Sequence, residues 1–467
     1  MLQAGSIGLP AKAASRLGLL DRSGSLNDIR IQAAEVEAVY AGLHTIGALG
    51  VLPEHGYDRP AYSTAETAAM QHIEHLAQGG GLLTRWDAVG NLIVELPGDY
   101  AEWIETGSHI DTVPGGGNYD GTAGVVAGLA VLLSVHEQGL MLSKGLRLRV
   151  WRGEESSSFG VVSIGSRAAF GVLPAESLQH VYHGVTLAEA MRMAGANPDL
   201  IELGEPAIKA AERDAIAAYV ELHIEQGKVL ETAAADVGIV SGIRGSVRSW
   251  VKLHGVFDHS GATPMGASYR SDVNLAMAYM QVRLDELVQE ALQQDEDIVQ
   301  TIGVINSSTD MNRAMPEVLN NAVARVSGAA YFSHEVRSCS GSVAKRFATQ
   351  AFAVIHETAA EFGVRAEVET FSQLPGVMAL DDGIQDLAAT LCLQAGVRYL
   401  HLPSGAWHDA AVLCGAVHSD GSEIPVGMLF VPCRGGVSHS ADEYVSDAQL
   451  ALGASVLGQV MLTLAHR

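Results

Sequence analysis

Residues 104–137 read IETGSHIDTVPGGGNYDGTAGVVAGLAVLLSVHE, and their pattern indicates the fold class. Residues 104–110 predict a short strand that ends in polar residues. A glycine-rich loop over residues 114–121 precedes Thr122–Glu137, whose apolar residues predict a buried helix. Gly145–Trp151 alternates in polarity and predicts the next strand. Strand, loop, helix and strand in this order indicate an α/β fold.

The pattern further along the chain predicts a second, smaller domain. With 467 residues the chain is too long for one ordinary core. Residues 245–373 show strand, helix, strands, helix and strand, which predicts an inserted α+β domain of order βαββαβ. Residues 1–244 and 374–467 carry the α/β pattern, so we predict one discontinuous domain with a mixed, mostly parallel sheet flanked by helices. Residues 1–26 show no regular pattern and could be a mobile arm or an oligomer contact.

Composition excludes some classes of function. Acidic side chains number 53 against 29 basic ones, and this net charge of −24 repels phosphate backbones, so we expect no nucleic-acid partner. The four cysteines lack the CxxC spacing of zinc sites and fit a reducing compartment, which predicts a cytoplasmic protein. No uninterrupted apolar run reaches the roughly 18 residues that span a bilayer, so we expect no membrane insertion.

Four stretches concentrate histidines and carboxylates at predicted strand ends. In the first, His109 can bind a metal ion and Asp111, two residues on, can orient its ring. Asp120, eleven residues after His109, could bridge two ions. The alternative for this stretch is a loop histidine beside a helix-capping aspartate.

The other three stretches are weaker one by one. Glu154 and Glu155 follow a strand, where one carboxylate can bind metal and the other can act as a general base. His223 lies in the strand-like segment 221–227, and His439 in a loop of small residues. A solvated acidic pair and a half-buried strand with a polar face are the simpler interpretations. Their joint occurrence at strand ends favours a mixed nitrogen and oxygen ligand set for two zinc-like or manganese-like ions.

Six motifs carry a family resemblance that runs from about residue 30 to the C-terminus. They are GSHIDTVPGGGNYDGTAGV, GEES, ELHIEQGKVLE, DHSGATPM, LPSGAWHDA and GGVSHSADEY. The sequence resembles the carbamoyl-amino-acid hydrolase branch of the aminoacylase and carboxypeptidase G-type metallopeptidase superfamily. That branch contains N-carbamoyl-L-amino acid hydrolases, allantoate amidohydrolases and β-ureidopropionases.

The resemblance implies two divalent metal ions per subunit, of zinc, manganese, cobalt or nickel. The implied metal ligands are His109, Asp120, Glu155, His223 and His439. It also implies Glu154 as the general base and Asp111 as the residue that orients a metal-binding histidine.

Further site residues are implied for substrate binding. They are Gln226, Asn312, Arg337, Gly405 and His408. His259 resembles a histidine that the small domain offers to the transition-state oxyanion, usually from the partner subunit, which implies a homodimer through a lid domain. Residues 318–326 look like extra sequence before Arg337, so Arg325 competes with Arg337 for the substrate carboxylate.

The resemblance implies an amidohydrolase that cleaves a linear amide or ureido C–N bond. The expected substrate is a small carboxylate-bearing ureide, first an N-carbamoyl-L-amino acid, which would yield the amino acid, CO₂ and ammonia. Allantoate or another ureide is the alternative. ELHIEQG and SGAWHDA disfavour an acylase or peptidase, and the presence of every ligand disfavours a non-catalytic binding protein. Ser156–Phe159 departs from the family's usual Gly-Ser/Ala-Arg-Phe, which bears on substrate fit.

Overall fold

The computed structural model describes residues 29–48, 55–306 and 324–467. The described chain divides into two compact units. The larger unit runs to Val240 and includes Asp381–His401 and His408–Arg467, whereas the smaller unit contains Ser241–Leu380 and Leu402–Trp407. The roles of these units as catalytic and lid domains, with the limits 245–373 given above for the insertion, remain predictions.

The helices vary from single turns to long core helices. In chain order they are α1 Ala33–Leu43, α2 Thr64–Gly79, α3 Thr122–Glu137, α4 Ile164–Ala169, α5 Leu187–Met193, α6 Asp199–Glu202, α7 Ala210–Asp214, α8 Val229–Ala233, α9 Val273–Gln293, α10 Gly341–Glu361, α11 Asp382–Ala395, α12 Asp409–Cys414 and α13 Asp447–His466. Short 3₁₀ helices cover Ala175–Gln179 and Arg434–Gly436.

The strands belong to two main sheets and two small ribbons. In chain order they are β1 Leu83–Trp86, β2 Leu92–Glu95, β3 Trp103–His109, β4 Gly145–Trp151, β5 Val181–Tyr182, β6 Val185–Thr186, β7 Ile216–Ile224, β8 Val237–Ile243, β9 Gly245–His254, β10 Asp258–His259, β11 Val299–Thr301, β12 Ile305–Asn306, β13 Arg325–Val326, β14 Ala329–Ser338, β15 Arg365–Leu374, β16 Tyr399–Ser404 and β17 Val426–Val431.

The large sheet is mixed, and its centre is parallel. Its strand order is β1-β2-β4-β3-β7-β17-β8-β16. Neighbours from β4 through β3 and β7 to β17 run parallel, whereas β1, β2 and β8 pair antiparallel. The predicted mixed α/β sheet is therefore confirmed. Because the carboxyl ends of parallel strands lie at one edge, the residues that follow β3, β4, β7 and β17 come together there.

Helices bury the apolar side chains of the large sheet. Nearly every residue of α3 is buried, because the helix lies between β3, β4 and β7 on one side and α1 and α13 on another. In the described residues α13 alone is long and apolar enough to cross a membrane, but 67% of its apolar window is buried. It packs on α1, α3 and α11, as a core helix of a soluble protein does.

In its described residues the smaller unit has a five-stranded sheet and the helices α9 and α10. Its order is β11-β14-β9-β15, with β12 added beside β14. Burial alternates along β14, so residues such as Phe332 and Val336 face α9 and α10 while their neighbours stay partly exposed. The principal elements follow one another as β9, α9, β11, β14, α10 and β15, which is the predicted order βαββαβ.

Candidate metal centre and active site

The carboxyl edge of the parallel strands gathers the predicted ligands of the larger unit. His109 is the last residue of β3, and Glu154 and Glu155 follow β4. His223 is near the end of β7, and His439 lies in the loop after β17. Residues that are far apart in sequence therefore meet because strand order makes β4, β3, β7 and β17 successive neighbours.

His109 and His223 turn the same ring nitrogen toward Asp120. His109 Nδ1 lies 3.3 Å from Asp111 Oδ1, and its Nε2 lies 3.8 Å from Asp120 Oδ1. His223 Nδ1 lies 2.9 Å from the carbonyl oxygen of Ile224, and its Nε2 lies 3.2 Å from Asp120 Oδ1. An imidazole held through one nitrogen by an oxygen partner presents the other nitrogen in a fixed direction, as metal-binding histidines do.

The second oxygen of Asp120 belongs to another cluster. His439 Nε2 lies 3.0 Å from Asp120 Oδ2 and 3.1 Å from Glu155 Oε1. The ring of His439 is half exposed, and its backbone has a φ of 56°. Asp120 thus has imidazole nitrogens on both of its oxygens, which is the arrangement that a bridging carboxylate needs.

Two ligand groups share Asp120. Within each group the ligand atoms all lie within 4.8 Å of one another. They are His109, Asp120 and His223 in one group, and Asp120, Glu155 and His439 in the other. Both combine nitrogen and carboxylate oxygen, the donor set suited to zinc or manganese. The residues present therefore fit two divalent ions.

A third grouping of Glu221, His223 and His408 is a poorer ion site. Glu221 accepts hydrogen bonds from the Ser108 hydroxyl at 2.9 Å and the Ala410 amide at 2.9 Å. Its oxygens are thus already occupied, and His223 Nε2 faces Asp120. Glu221 instead joins the end of β3 to the start of α12.

The charges of the cluster stabilise one another. Burial raises the pKa of Asp120, but hydrogen bonds with His223 and His439 outweigh it and hold that pKa well below its usual range. Hydrogen bonds to Asp120 and Glu155 raise the pKa of His439 to about 11. Burial raises the pKa of Glu155. Positive charges nearby stabilise buried ionised carboxylates, so the cluster is electrostatically suited to cations.

Asp111 contacts both the predicted base and a predicted ligand. Its Oδ1 and Oδ2 accept the backbone N–H groups of Glu154 and Glu155, each at 3.0 Å. One carboxylate therefore orients the His109 ring and also fixes the turn after β4. Glu154 is nearly buried, and its Oε1 accepts the Ser163 hydroxyl at 3.3 Å. Burial, followed by the nearby Glu155 and Asp409 and against the effect of His109, raises the pKa of Glu154 well above its ordinary value.

Similarity to known proteins identifies the family of the chain. A family model described as peptidase family M20/M25/M40 matches residues 106–463. The chain is a member of this family. It is 34% identical over 436 residues to an N-carbamoyl-L-amino acid amidohydrolase of Geobacillus stearothermophilus, covering 92% of this chain and 98% of that protein. It is 32% identical to an allantoate amidohydrolase of Bacillus subtilis (strain 168), and the alignment covers 89% of this chain and 95% of that protein.

Solved structures of the family have the same fold. A crystal structure of a hydantoinase/carbamoylase family amidase from Burkholderia multivorans superposes with a TM-score of 0.80 at 25% identity, covering 94% of this chain and 99% of that one. The resemblance drawn from the sequence motifs is confirmed. This M20-family chain is an amidohydrolase, a hydrolase of C–N bonds, and the family's enzymes typically use divalent metal ions.

Gln226 and His408 lie beside the two ligand groups. Gln226 Nε2 donates to Asp120 Oδ2 at 2.8 Å, and its buried Oε1 has no hydrogen-bond partner in the described part of the chain. The His408 ring centroid lies 4.4 Å from that of His223. Burial, followed by the neighbouring His223, lowers the pKa of His408 well below its ordinary value.

The other predicted site residues belong to the smaller unit or fall outside the described residues. His259 is exposed on β10 and is paired in register with Arg325 of β13. Arg337 on β14 donates to the Gly405 carbonyl oxygen at 2.7 Å and to Glu335. Asn312 lies outside the described residues.

Two buried charged residues of the site were not predicted from the M20-family motifs. Arg59 donates to the Asn118 side chain at 2.7 Å and to the Ile110 carbonyl oxygen at 2.7 Å. Glu443 accepts the Asp120 amide at 2.9 Å and the Ser438 hydroxyl at 2.9 Å. Glu443 lies within a recognised motif, which is a signal that could have drawn attention to it. Arg59 is isolated in a loop and gives no such signal.

Proposed function

We propose that the chain is a two-metal amidohydrolase that removes the carbamoyl group from N-carbamoyl-L-amino acids. The observation that carries the proposal is the pair of ligand groups that share Asp120. One group has His109 and His223 as its nitrogen ligands, and the other has Glu155 and His439. An ion held in each group would polarise a substrate carbonyl oxygen and lower the pKa of water at the site.

Glu154 is proposed as the general base and, later in the reaction, the general acid. Its carboxylate is next in sequence to Glu155, and Asp111 holds the backbone of both residues. The raised pKa of Glu154 suits a group that takes a proton from the attacking water and returns it to the leaving nitrogen. For a carbamoyl substrate this transfer would release the amino acid, and the carbamate fragment would give CO₂ and ammonia.

Gln226 and His408 are proposed to contact the ureido group. The unpartnered Gln226 Oε1 is a hydrogen-bond acceptor, and a ureido N–H is a matching donor. A neutral His408, which its lowered pKa favours, could donate or accept one hydrogen bond. These contacts support a ureide over a simple apolar amide, because a buried acceptor left unpaired lowers affinity.

His259 is proposed to stabilise the oxyanion. Its Nδ1 accepts the backbone N–H groups of Gly261 and Ala262, each at 3.1 Å. In a neutral ring the proton is therefore on Nε2, which is a hydrogen-bond donor. A donor aimed at developing negative charge is the recurrent device for amide hydrolysis.

The carboxylate of the substrate needs a cationic partner, and two arginines compete for that role. Arg337 already donates to Glu335 and to the Gly405 carbonyl oxygen. Arg325 is exposed, neighbours His259 in register and lies over the Phe257 ring. Separate Arg325→Ala and Arg337→Ala variants distinguish them, because loss of the clamp raises KM for the carboxylate substrate more than it lowers kcat.

Allantoate is the second candidate substrate. A relative that is 32% identical to this chain bears the name allantoate amidohydrolase, and it is nearly as similar as the N-carbamoyl-L-amino acid enzyme. Both substrates present a ureido group and a carboxylate, so the ligand groups alone suit either.

We also propose a cytoplasmic homodimer that associates through the smaller unit.

Metal analysis combined with an ammonia-release assay tests the proposal. We expect two divalent ions per subunit, and ammonia release fastest with N-carbamoyl-L-amino acids when these are compared with N-carbamoyl-β-alanine and allantoate. Faster release from allantoate would transfer the assignment to the second candidate. Fewer than two bound ions at full activity would contradict the two-metal site.

A further inference from the structure

Arg59 is a buried arginine beside the loop that separates His109 from Asp120. Its side chain is fully shielded from solvent. Residues 57–59 lie against that loop, since the Tyr57 amide donates to the Gly116 carbonyl oxygen at 2.8 Å. Arg59 and Thr112 are joined by two further hydrogen bonds of 3.0 and 3.1 Å.

The guanidinium spans the loop from one end to the other. Nε donates to the Ile110 carbonyl oxygen at 2.7 Å, immediately after His109. Nη1 donates to Asn118 Oδ1 at 2.7 Å, two residues before Asp120. Nη2 donates to the Thr122 hydroxyl at 3.2 Å at the first residue of α3. A planar fork with five donors can hold three such points at once, whereas an ammonium group cannot match their directions.

These hydrogen bonds bear on the separation of two metal ligands. His109 is the last residue of β3, whereas Asp120 lies in the glycine-rich loop that precedes α3. The contacts of Arg59 at residues 110, 118 and 122 restrict that loop on both sides of Asp120. All of these acceptors are neutral oxygen atoms. The directions of the N–H groups therefore matter as well as the positive charge of the guanidinium.

We propose that Arg59 is a positioning residue that sets the distance between His109 and Asp120 before metal ions bind. The inference rests on the metal centre proposed above. Residues that orient metal ligands typically change metal affinity about 10- to 100-fold when they are replaced. Arg59 would therefore act on ion binding without touching an ion.

The test is titration of the metal-free protein with Zn²⁺ by calorimetry, together with its melting temperature. We expect Arg59→Lys, which keeps the charge and loses the fork, to weaken Zn²⁺ binding about tenfold or more. Asn118→Ala, which removes one acceptor and keeps Arg59, should weaken it less. Arg149→Lys is the matched control, because Arg149 is equally buried but donates to Glu105 on β3 and to Glu212 on α7.

The outcomes distinguish a failure of the proposed role of Arg59 from a failure of the proposed metal centre. Weaker Zn²⁺ binding in Arg59→Lys than in Arg149→Lys, at a similar fall in melting temperature, supports the inference. Should Arg59→Lys not fold, Asn118→Ala decides in the same way. Unchanged Zn²⁺ affinity in the folded variants, with a wild-type protein that binds Zn²⁺, overturns the role of Arg59 alone. A wild-type protein that binds no Zn²⁺ overturns the metal centre and this inference with it.

Discussion

Asp120 and Asp111 show how single carboxylates can organise a site. Asp120 is approached by His109 and His223 on one oxygen and by His439 on the other. Asp111 accepts two backbone N–H groups of the turn after β4 and also faces His109. Each carboxylate therefore connects parts of the site that arrive from different strands.

The role of Glu154 can be separated from that of Glu155 by paired substitutions. We expect Glu154→Gln to keep its metal ions and to lower kcat about 10²- to 10⁴-fold, because it removes the proton acceptor and no proposed ligand. Glu155→Gln should instead lower the metal content. Elemental analysis and steady-state kinetics on both variants provide the measurement. Near-normal kcat in Glu154→Gln would exclude it as the base.

The burial of His334 makes the stability of the smaller unit depend on pH. Burial lowers the pKa of this β14 histidine to about 4, below the 6.5 of the unfolded chain. The unfolded state therefore binds a proton first, so the stabilising contribution is complete above pH 6.5 and is lost as pH falls toward 4. Between pH 7 and pH 5 the loss is about 2 kcal/mol.

Substitution of His334 isolates this contribution. The His334→Gln variant should lose about 2 kcal/mol less free energy of unfolding than the wild type between pH 7 and pH 5, as measured by urea titration. Parallel pH profiles for the two proteins would contradict this, because they would show that the pKa of His334 is the same in the folded and unfolded states.

At the scale of elements, the loop between β3 and α3 is shaped by Gly121. This residue has a φ of 61°, and a Cβ atom there would lie 2.3 Å from His109 Cδ2. Both the backbone conformation and the space beside the imidazole thus require glycine at the start of α3.

Two glycines that flank α3 form a matched pair of tests. Gly121→Ala should displace the His109 ring and reduce metal content, in addition to the backbone strain. Gly139→Ala has a similar φ of 62° but open space around it, so we expect only about 1 kcal/mol of destabilisation and a normal metal content. Elemental analysis and thermal unfolding distinguish them. Equal metal content in both variants would contradict the steric role.

The elements differ in how well the sequence predicts them. Thr122–Glu137 and Gly145–Trp151 match their predicted limits, because both are long and strongly patterned. Strands β8 and β16 and the short elements between residues 164 and 214 were not predicted. Their segments are brief or lack clear periodicity, so tertiary contacts decide their conformation.

At the scale of the whole molecule, the predicted homodimer bears on catalysis through His259. If His259 serves the partner's site, a heterodimer of a Glu154→Gln subunit and a His259→Asn subunit contains one intact site. Purified by two different tags, it should have roughly half of the wild-type activity, since one of two symmetric sites is complete.

The corresponding homodimers are the controls and should both be nearly inactive. A heterodimer as inactive as they are would show that His259 acts within its own subunit. Light scattering that shows a monomer would remove the basis of the experiment and contradict the predicted dimer.

The α/β class, the family and the types of residue at the strand ends could be predicted from the sequence, because these depend on local periodicity and on short motifs. Which side chains contact one another became clear only from the three-dimensional structure. Asp120 and Glu443 are 323 positions apart, and Arg59 and Asn118 are 59 apart. Such contacts follow from strand order and loop packing, which no local pattern records. For residues 104–137 the motif therefore predicted the metal-binding residue types, while the fold supplied the partners that hold them in place.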